Sequence, residues 1–372
     1  MADRLQVGQV VEVEITDLTA EAKAVGRYEG MVVMVNGGLP GEVVRTEITR
    51  LKRRFAFGKC LDLVRRSERR IEPRCAHFDY CGGCSWQDLS YEDQLELKRS
   101  FVVEGLKRIG KFEDLEVEPT IPAVEQYGYR NKMEYSFGKD AESVTAGLHR
   151  RGRYDSVFEL NECYLQSENS VKALDLIRRT ARELGIPFYD ESTESGELRF
   201  LVVREGKLTD ELLLNLVTRT EEFEGRDELF QAVMTGLPQM TSFFQTVNTR
   251  RANVAEGDLI VHVSGKDHLS EKIGDLTFQI GPFSFFQTNS RQTKVLYDLI
   301  VEHAQLQGSE EVLDLFCGCG SIGLYLAGRI GRVLGIELNE EAIELASFNA
   351  QLNGIDNAEF VAGDARRLLV DL

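Results

Sequence analysis

Residues 312–327, VLDLFCGCGSIGLYLA, read as a strand, a glycine turn and the start of a helix. Val312, Leu313, Leu315 and Phe316 form a short apolar run suited to a parallel strand covered on both faces, with Asp314 placing a carboxylate near its end. Gly318 and Gly320 permit a sharp turn and a close approach to a ligand. Ser321 is placed to cap the helix that follows, which packs through Ile322, Leu324, Tyr325 and Leu326. A nucleotide-like ligand belongs outside the carboxyl end of such a strand. A tight turn that holds no ligand has the same local pattern, so the neighbouring elements decide.

Arg332 to Glu337, RVLGIE, reads as a second strand ending in an acid that can accept both ribose hydroxyls of a nucleoside. Glu340 to Asn353 has helical spacing through Ala342, Ile343, Leu345, Ala346 and Leu352. Glu359 to Asp364, EFVAGD, is a third strand ending in a second acid. This order resembles the class I S-adenosylmethionine-dependent methyltransferases, an α/β Rossmann-like fold. The resemblance implies that Gly318 and Gly320, with Ser321 beside them, pass the methionine part of the cofactor, that Glu337 holds its ribose and that Asp364 sits by its adenine. A nicotinamide dehydrogenase is the competing reading, set aside on the spacing of the glycines.

A length of 372 residues suggests two or three domains, and an apolar fraction of 42% supports packed cores. No apolar run approaches a membrane span, and the start, MADRLQVGQV, lacks the pattern of a signal peptide. A cytoplasmic, monomeric protein with no membrane partner is expected. The net charge of −17 argues against nucleic-acid binding by bulk attraction. Its distribution is uneven: between Arg45 and Arg74 eleven bases stand against four acids. Such a stripe is either a phosphate footprint or a solvated charged face.

Residues 1–68 read as all-β. Val7 to Ile15 alternates apolar and polar residues, and Gly26, Gly30, Gly37, Gly38, Pro40 and Gly41 mark closely spaced turns. A five-stranded barrel of the OB type fits, and GRYEGMVVMVNGGLPGEVV resembles the TRAM domain, a barrel appended to RNA-modifying enzymes. Candidates for RNA contact are Lys52, Arg53 and Arg54, with Phe55 and Phe57 as either stacking platforms or core.

Cys75, Cys81 and Cys84 stand as C-x5-C-x2-C, with Gly82 and Gly83 between the last pair. The chain has seven cysteines and no export signal, which argues against a disulfide framework. A fourth thiolate closes a tetrahedral set, and Cys163 is the best placed candidate. Zinc and an iron–sulfur cluster fit the spacing equally, and three unliganded cysteines are the bland alternative. Cys60 reads as core. The region 69–290 alternates helices and strands as an α+β domain carrying Arg130 and Lys132 in YRNK.

TRAM-like barrel, C-x5-C-G-G-C, Y-R-N-K, N-x-C, S-F-F-Q-x-N and D-L-F-C-G-x-G together resemble the RNA uracil-5-methyltransferases, the ribosomal-RNA branch above all. The resemblance covers nearly the whole chain. It implies S-adenosyl-L-methionine as cofactor, with Gln287 and Phe316 beside it and Glu337 on its ribose. It implies a [4Fe-4S] cluster on Cys75, Cys81, Cys84 and Cys163, and Phe285 stacked on a flipped uracil; packing in the core is the alternative for Phe285. The methyltransferase domain is expected over 291–372.

Uracil C5 is a poor nucleophile. By resemblance, a cysteine thiolate adds to C6, C5 then takes the methyl group, and a base removes the C5 proton. The expected Asp-Pro-Pro-Arg strand, the nucleophilic cysteine after it and the base do not occur before Leu372. Cys317 and Cys319 belong to the glycine loop. A catalytic domain cut after three strands, inactive as it stands, is therefore expected, with an open apolar edge on the VLDLF strand. Methylation of transfer RNA, or a non-enzymatic RNA-binding iron–sulfur protein, are the alternatives.

Overall fold

The computed structural model describes residues 5–141 and 143–370. The chain divides into two compact units, Met1–Pro122 and Ala123–Leu372.

In the first unit, β1 (Val10–Leu18), β2 (Ala24–Tyr28), β3 (Met31–Asn36), β4 (Val43–Leu51) and β5 (Phe55–Arg65) close a barrel in the order β1-β2-β3-β5-β4. Alternation places Val11, Val13, Ile15, Val33, Val35, Val44 and Ile48 inside. Close strand approach explains two glycines: a Cβ on Gly26 would lie 2.3 Å from the Glu14 carbonyl oxygen, and one on Gly58 2.2 Å from the Thr46 methyl. The cysteine stretch follows as turns, then α1 (Tyr91–Arg108), capped by the Ser90 hydroxyl accepting from the Asp93 N–H. Leu89, Trp86, Leu97 and Phe101 pack on the barrel core. A buried ion network ties the two parts. Glu42 is wholly buried and accepts from Arg70 Nε at 2.7 Å and from the N–H groups of Leu39 and Ser67, while Arg70 also meets Asp88 at 2.5 Å.

In the second unit, β6 (Lys132–Asp140), β7 (Ser143–Arg150), β8 (Arg153–Glu159), α2 (Glu168–Glu183), β9 (Leu198–Gly206), β10 (Glu211–Thr218), α3 (Arg226–Gly236), β11 (Ser242–Val247) and β12 (Leu259–Gly265) build a sheet in the order β12-β11-β10-β9-β6-β7-β8. Only β10 and β11 run parallel in it. A hairpin, β13 (Leu269–Ile273) and β14 (Leu276–Ile280), leads to α4 (Ser290–Ala304). Then β15 (Glu311–Leu315), α5 (Ser321–Ala327), β16 (Arg332–Glu337), α6 (Glu340–Leu352), β17 (Ala358–Ala362) and α7 (Ala365–Leu368) form a parallel three-stranded α/β layer in the order β15-β16-β17.

One core joins the hairpin, α4, α5 and α6 through Phe278, Ile280, Tyr297, Leu324, Tyr325 and Leu345. Two side-chain amides seal the hairpin to α6. Asn349 Oδ1 accepts from the Gln279 N–H at 2.8 Å, and Asn353 exchanges two bonds with the Thr277 backbone. The expectation that the VLDLF strand is covered on both faces does not hold. β15 pairs with β16 alone among the described residues, and Leu313 and Leu315 remain 41% and 39% exposed. The face that carries them has no helix on it here.

Candidate cofactor and RNA sites

β15 ends at a left-handed residue, Phe316, with φ of 61° and 75% of its surface exposed. The chain then turns through Gly318 and Gly320, whose φ values are 54° and 78°. A Cβ on Gly320 would stand 2.8 Å from the Phe360 ring, so only glycine fits under the loop. A Cβ on Gly318 would meet nothing within 4 Å, so space lies open over the turn. Gly320, not Ser321, is the N-cap of α5. Its left-handed backbone ends the turn, and Ser321 is already helical, its hydroxyl paired with Tyr297 Oη at 2.7 Å. Asp314 accepts from the Gly323 N–H at 2.9 Å, and burial raises its carboxyl above the ordinary value.

Glu337 closes β16 beside this turn. Its carboxylate accepts from the N–H groups of Gly318 at 3.2 Å, Leu338 at 2.8 Å and Asn339 at 3.1 Å. A carboxylate has about four acceptor positions, so the loop orients the group and leaves room for one hydroxyl rather than the expected two. Asp364 caps α7, accepting from the Arg366 N–H at 3.0 Å and pairing with its guanidinium at 3.2 Å.

The S-F-F-Q loop reaches the same turn, where Cys319 Sγ donates to the Phe285 carbonyl at 3.6 Å. Phe285 is 71% exposed and Phe286 is buried, which separates a presenting ring from a packing one. The bland alternative of core packing therefore applies to Phe286 alone. Three residues hold this loop: Arg204 and Glu271, which no motif singled out, and Asn131, the Asn of Y-R-N-K, to which the motif assigned no role. Arg204, buried, donates to the carbonyls of Pro282 at 2.8 Å and of Ser284. Asn131 Nδ2 donates to the Gln287 carbonyl at 2.8 Å and to Ser290 Oγ at 2.9 Å. Buried Glu271 accepts from Ser290 at 2.5 Å. The one signal for Arg204 was a base ending an otherwise apolar strand, LRFLVVR.

Burial disfavours the thiolate at both loop cysteines. Burial pushes the Cys317 thiol up to about 12 and that of Cys319 up to about 11. Cys75, Cys81 and Cys84, in the first unit, and Cys163, in the second, form no disulfide among the described residues. The Gly83 N–H points at Cys81 Sγ at 3.3 Å and Gln87 Nε2 at Cys84 Sγ at 3.1 Å.

The eleven-base stripe does not survive as one surface. Arg45, Arg65, Arg66, Arg69 and Arg70 are ion-paired with Asp62, Glu14, Glu72, Asp93 and Glu42. Lys52, Arg53 and Arg54 stay exposed, with no ion pair among the described residues. Phe55 and Phe57 follow, half-buried on the outer face of β5 with ring centroids 5.4 Å apart and the Lys23 ammonium 5.3 Å from the Phe57 ring. Neither ring is core. Arg130 and Lys132 are less available: Arg130 Nε donates to the Lys132 carbonyl at 3.0 Å, and Lys132 pairs with Glu134 at 2.6 Å.

Residues 4–61 match the TRAM domain and residues 306–371 a methyltransferase domain. An uncharacterized RNA methyltransferase of Halalkalibacterium halodurans is 39% identical over 97% of this chain and 78% of its own length. One of Caldanaerobacter subterraneus is 38% identical over 98% and 82%. The crystal structure of Pyrococcus abyssi tRNA (uracil-54, C5)-methyltransferase in complex with S-adenosyl-L-homocysteine superposes with a TM-score of 0.75 at 31% identity, over 95% of this chain and 79% of that one. The glycine spacing by itself does not exclude a dinucleotide, since Gly318, Gly320 and Gly323 do stand at G-x-G-x-x-G positions. These relatives, rather than the spacing, decide between the two cofactors.

Proposed function

The chain belongs to the RNA methyltransferases, and from that premise we propose that it serves S-adenosylmethionine-dependent methylation of uridine C5 in RNA, ribosomal RNA in particular. The observation that carries this is the meeting of the exposed Phe285 with the open glycine turn, in a chain similar throughout to a uracil-C5 enzyme. S-adenosylmethionine supplies an electrophilic methyl group. Gly318 leaves space for it and Gly320 turns the chain beneath it, Phe316 and Gln287 flank it, Glu337 takes a ribose hydroxyl and Asp364 stands at the adenine end. Phe285 offers a face on which an unstacked uracil can lie. Ser321 acts on the site through Tyr297, by fixing the start of α5.

Titrated with S-adenosyl-L-homocysteine in a calorimeter, the protein should bind it. Glu337→Ala should weaken binding about tenfold or more, since a charge-assisted hydrogen bond contributes about 1.5–3 kcal/mol. Equal binding by the variant would remove Glu337 from the ribose.

We propose that Cys75, Cys81, Cys84 and Cys163 hold a [4Fe-4S] cluster, supported by their spacing and by the N–H donors at the Cys81 and Cys84 sulfurs. Anaerobically purified protein should be brown and contain iron and acid-labile sulfide. Cys84→Ser should lose both. Zinc without sulfide would keep the ligands and reject the cluster.

Lys52, Arg53 and Arg54, with the Phe55–Phe57 pair, form the proposed barrel footprint on RNA. Alanine at all three bases should weaken RNA binding and flatten its salt dependence by up to about one log–log unit per lost phosphate contact. An unchanged slope would place the footprint elsewhere. Transfer RNA as the target has no observation of its own in this chain, and neither has a purely binding role. We place the protein in the cytoplasm as a monomer.

A further inference from the structure

A cavity of about 350 Å³ opens where β6, β7 and β8 end the seven-stranded sheet. That lies within the range of about 300–1,000 Å³ usual for small-ligand sites. It shares no lining residue with the glycine turn. Tyr154 lines it and is 80% exposed, a ring held out to solvent by the short β7–β8 turn. Inside, His149 Nε2 meets Ser136 Oγ at 3.0 Å, while the other ring nitrogen is buried with no partner among the described residues. Asn253 adds an amide from the β11–β12 connection.

The charges select what enters. Asp190 is held at about 2 by the Ser192 hydroxyl and by Lys139, whose ammonium lies 2.9 Å away. Asp155 is held below its ordinary value by Arg153. With Glu191, three carboxylates among the described residues line the cavity against one lining ammonium, Lys139, a surplus that disfavours a phosphate and leaves acceptors for N–H donors. An exposed aromatic ring stacks flat heterocycles.

We infer that this cavity takes an unpaired, amino-bearing nucleobase of the RNA substrate, adenine or cytosine rather than uracil. Uracil would turn carbonyl oxygens toward the carboxylates. The inference rests on the RNA-methyltransferase reading and adds to it a second base-binding site, apart from the position of the methylated uridine.

The test is fluorescence anisotropy of the full chain with fluorescein-labelled oligo(A), oligo(C) and oligo(U) of about twelve nucleotides, a length within the site sizes of single-strand binders. Tyr154→Ala should weaken oligo(A) and oligo(C) about tenfold and oligo(U) less than about twofold, the loss of one base stack. Tyr154→Phe should restore the parent affinities, because the ring face remains. The salt slope should stay unchanged in both, since no phosphate contact is lost. Because Tyr154 is exposed, neither change threatens the fold. Parent-like binding of oligo(A) by Tyr154→Ala, or equal losses on all three oligomers, would overturn the inference while leaving RNA binding intact. Failure of the parent to bind any oligomer would overturn the RNA reading, and the inference with it.

Discussion

Incubated with S-adenosylmethionine and RNA carrying 5-fluorouridine, a polypeptide of these 372 residues should form no protein–RNA adduct that survives denaturation. Attack on uracil C6 needs a thiolate. With thiols at about 12 and about 11, Cys317 and Cys319 are ionised at pH 7 to only about one part in 10⁵ and 10⁴. Both are also buried, and Cys317 Sγ packs under the loop, 2.9 Å from where a Cβ on Gly335 would stand. Cys60 is likewise raised by burial, and it lies on the barrel. Binding and orientation at Phe285 and Glu337 leave C5 unactivated, so methyl transfer should be absent as well. An adduct mapped by mass spectrometry to Cys317 or Cys319 would show that the loop opens to expose a nucleophile.

The second large effect lies in the first unit. Glu42→Gln should destabilise it by about 3–5 kcal/mol, because Arg70 is left buried with only half its countercharge. Trp86 is the only tryptophan and packs on the barrel core, so its fluorescence during urea unfolding reports this unit. Burial alone would raise the Glu42 carboxyl. The Arg70 guanidinium and the Leu39 and Ser67 N–H groups outweigh it and hold the pKa below the ordinary value. A depressed carboxyl contributes its stability above the unfolded value, about 4.3, and loses it as pH falls through the lower folded value. Parent and variant should therefore differ at pH 7 and converge in acid. A difference below about 1 kcal/mol at pH 7 would reduce the network to a surface ion pair.

Much of the architecture was legible because its signals are local. Turn glycines at short spacing and alternating Val–Ile runs announce the barrel. The strand–glycine–helix order announces the cofactor layer, and Glu337 stands where its strand ends, whereas Asp364 lies two residues past β17 as the cap of α7. What escaped depends on distant partners. Arg65 reads as a free base until β5 folds against Glu14 on β1, and Arg70 until Glu42 and Asp88 converge on it. Arg204 holds carbonyls roughly eighty residues away, which no period or motif encodes. Asn349 looks like an ordinary helical residue, yet its amide replaces a strand partner for β14. Ser321 was misplaced by one residue because a glycine in the left-handed region can cap a helix without a side chain.

The uncovered strand β15 has a consequence for handling. Among the described residues β15 pairs only with β16, and in a polypeptide of these residues such an edge, flanked by exposed leucines, is a template on which another copy can lay its own β15. What opposes this is mutual repulsion from a net charge of −17. Added salt, the usual means of stripping nucleic acid from an RNA-binding protein, shortens that repulsion to a few ångströms. High-salt preparations should therefore be the ones that precipitate, and dilute, low-salt buffers the ones that keep the protein dispersed.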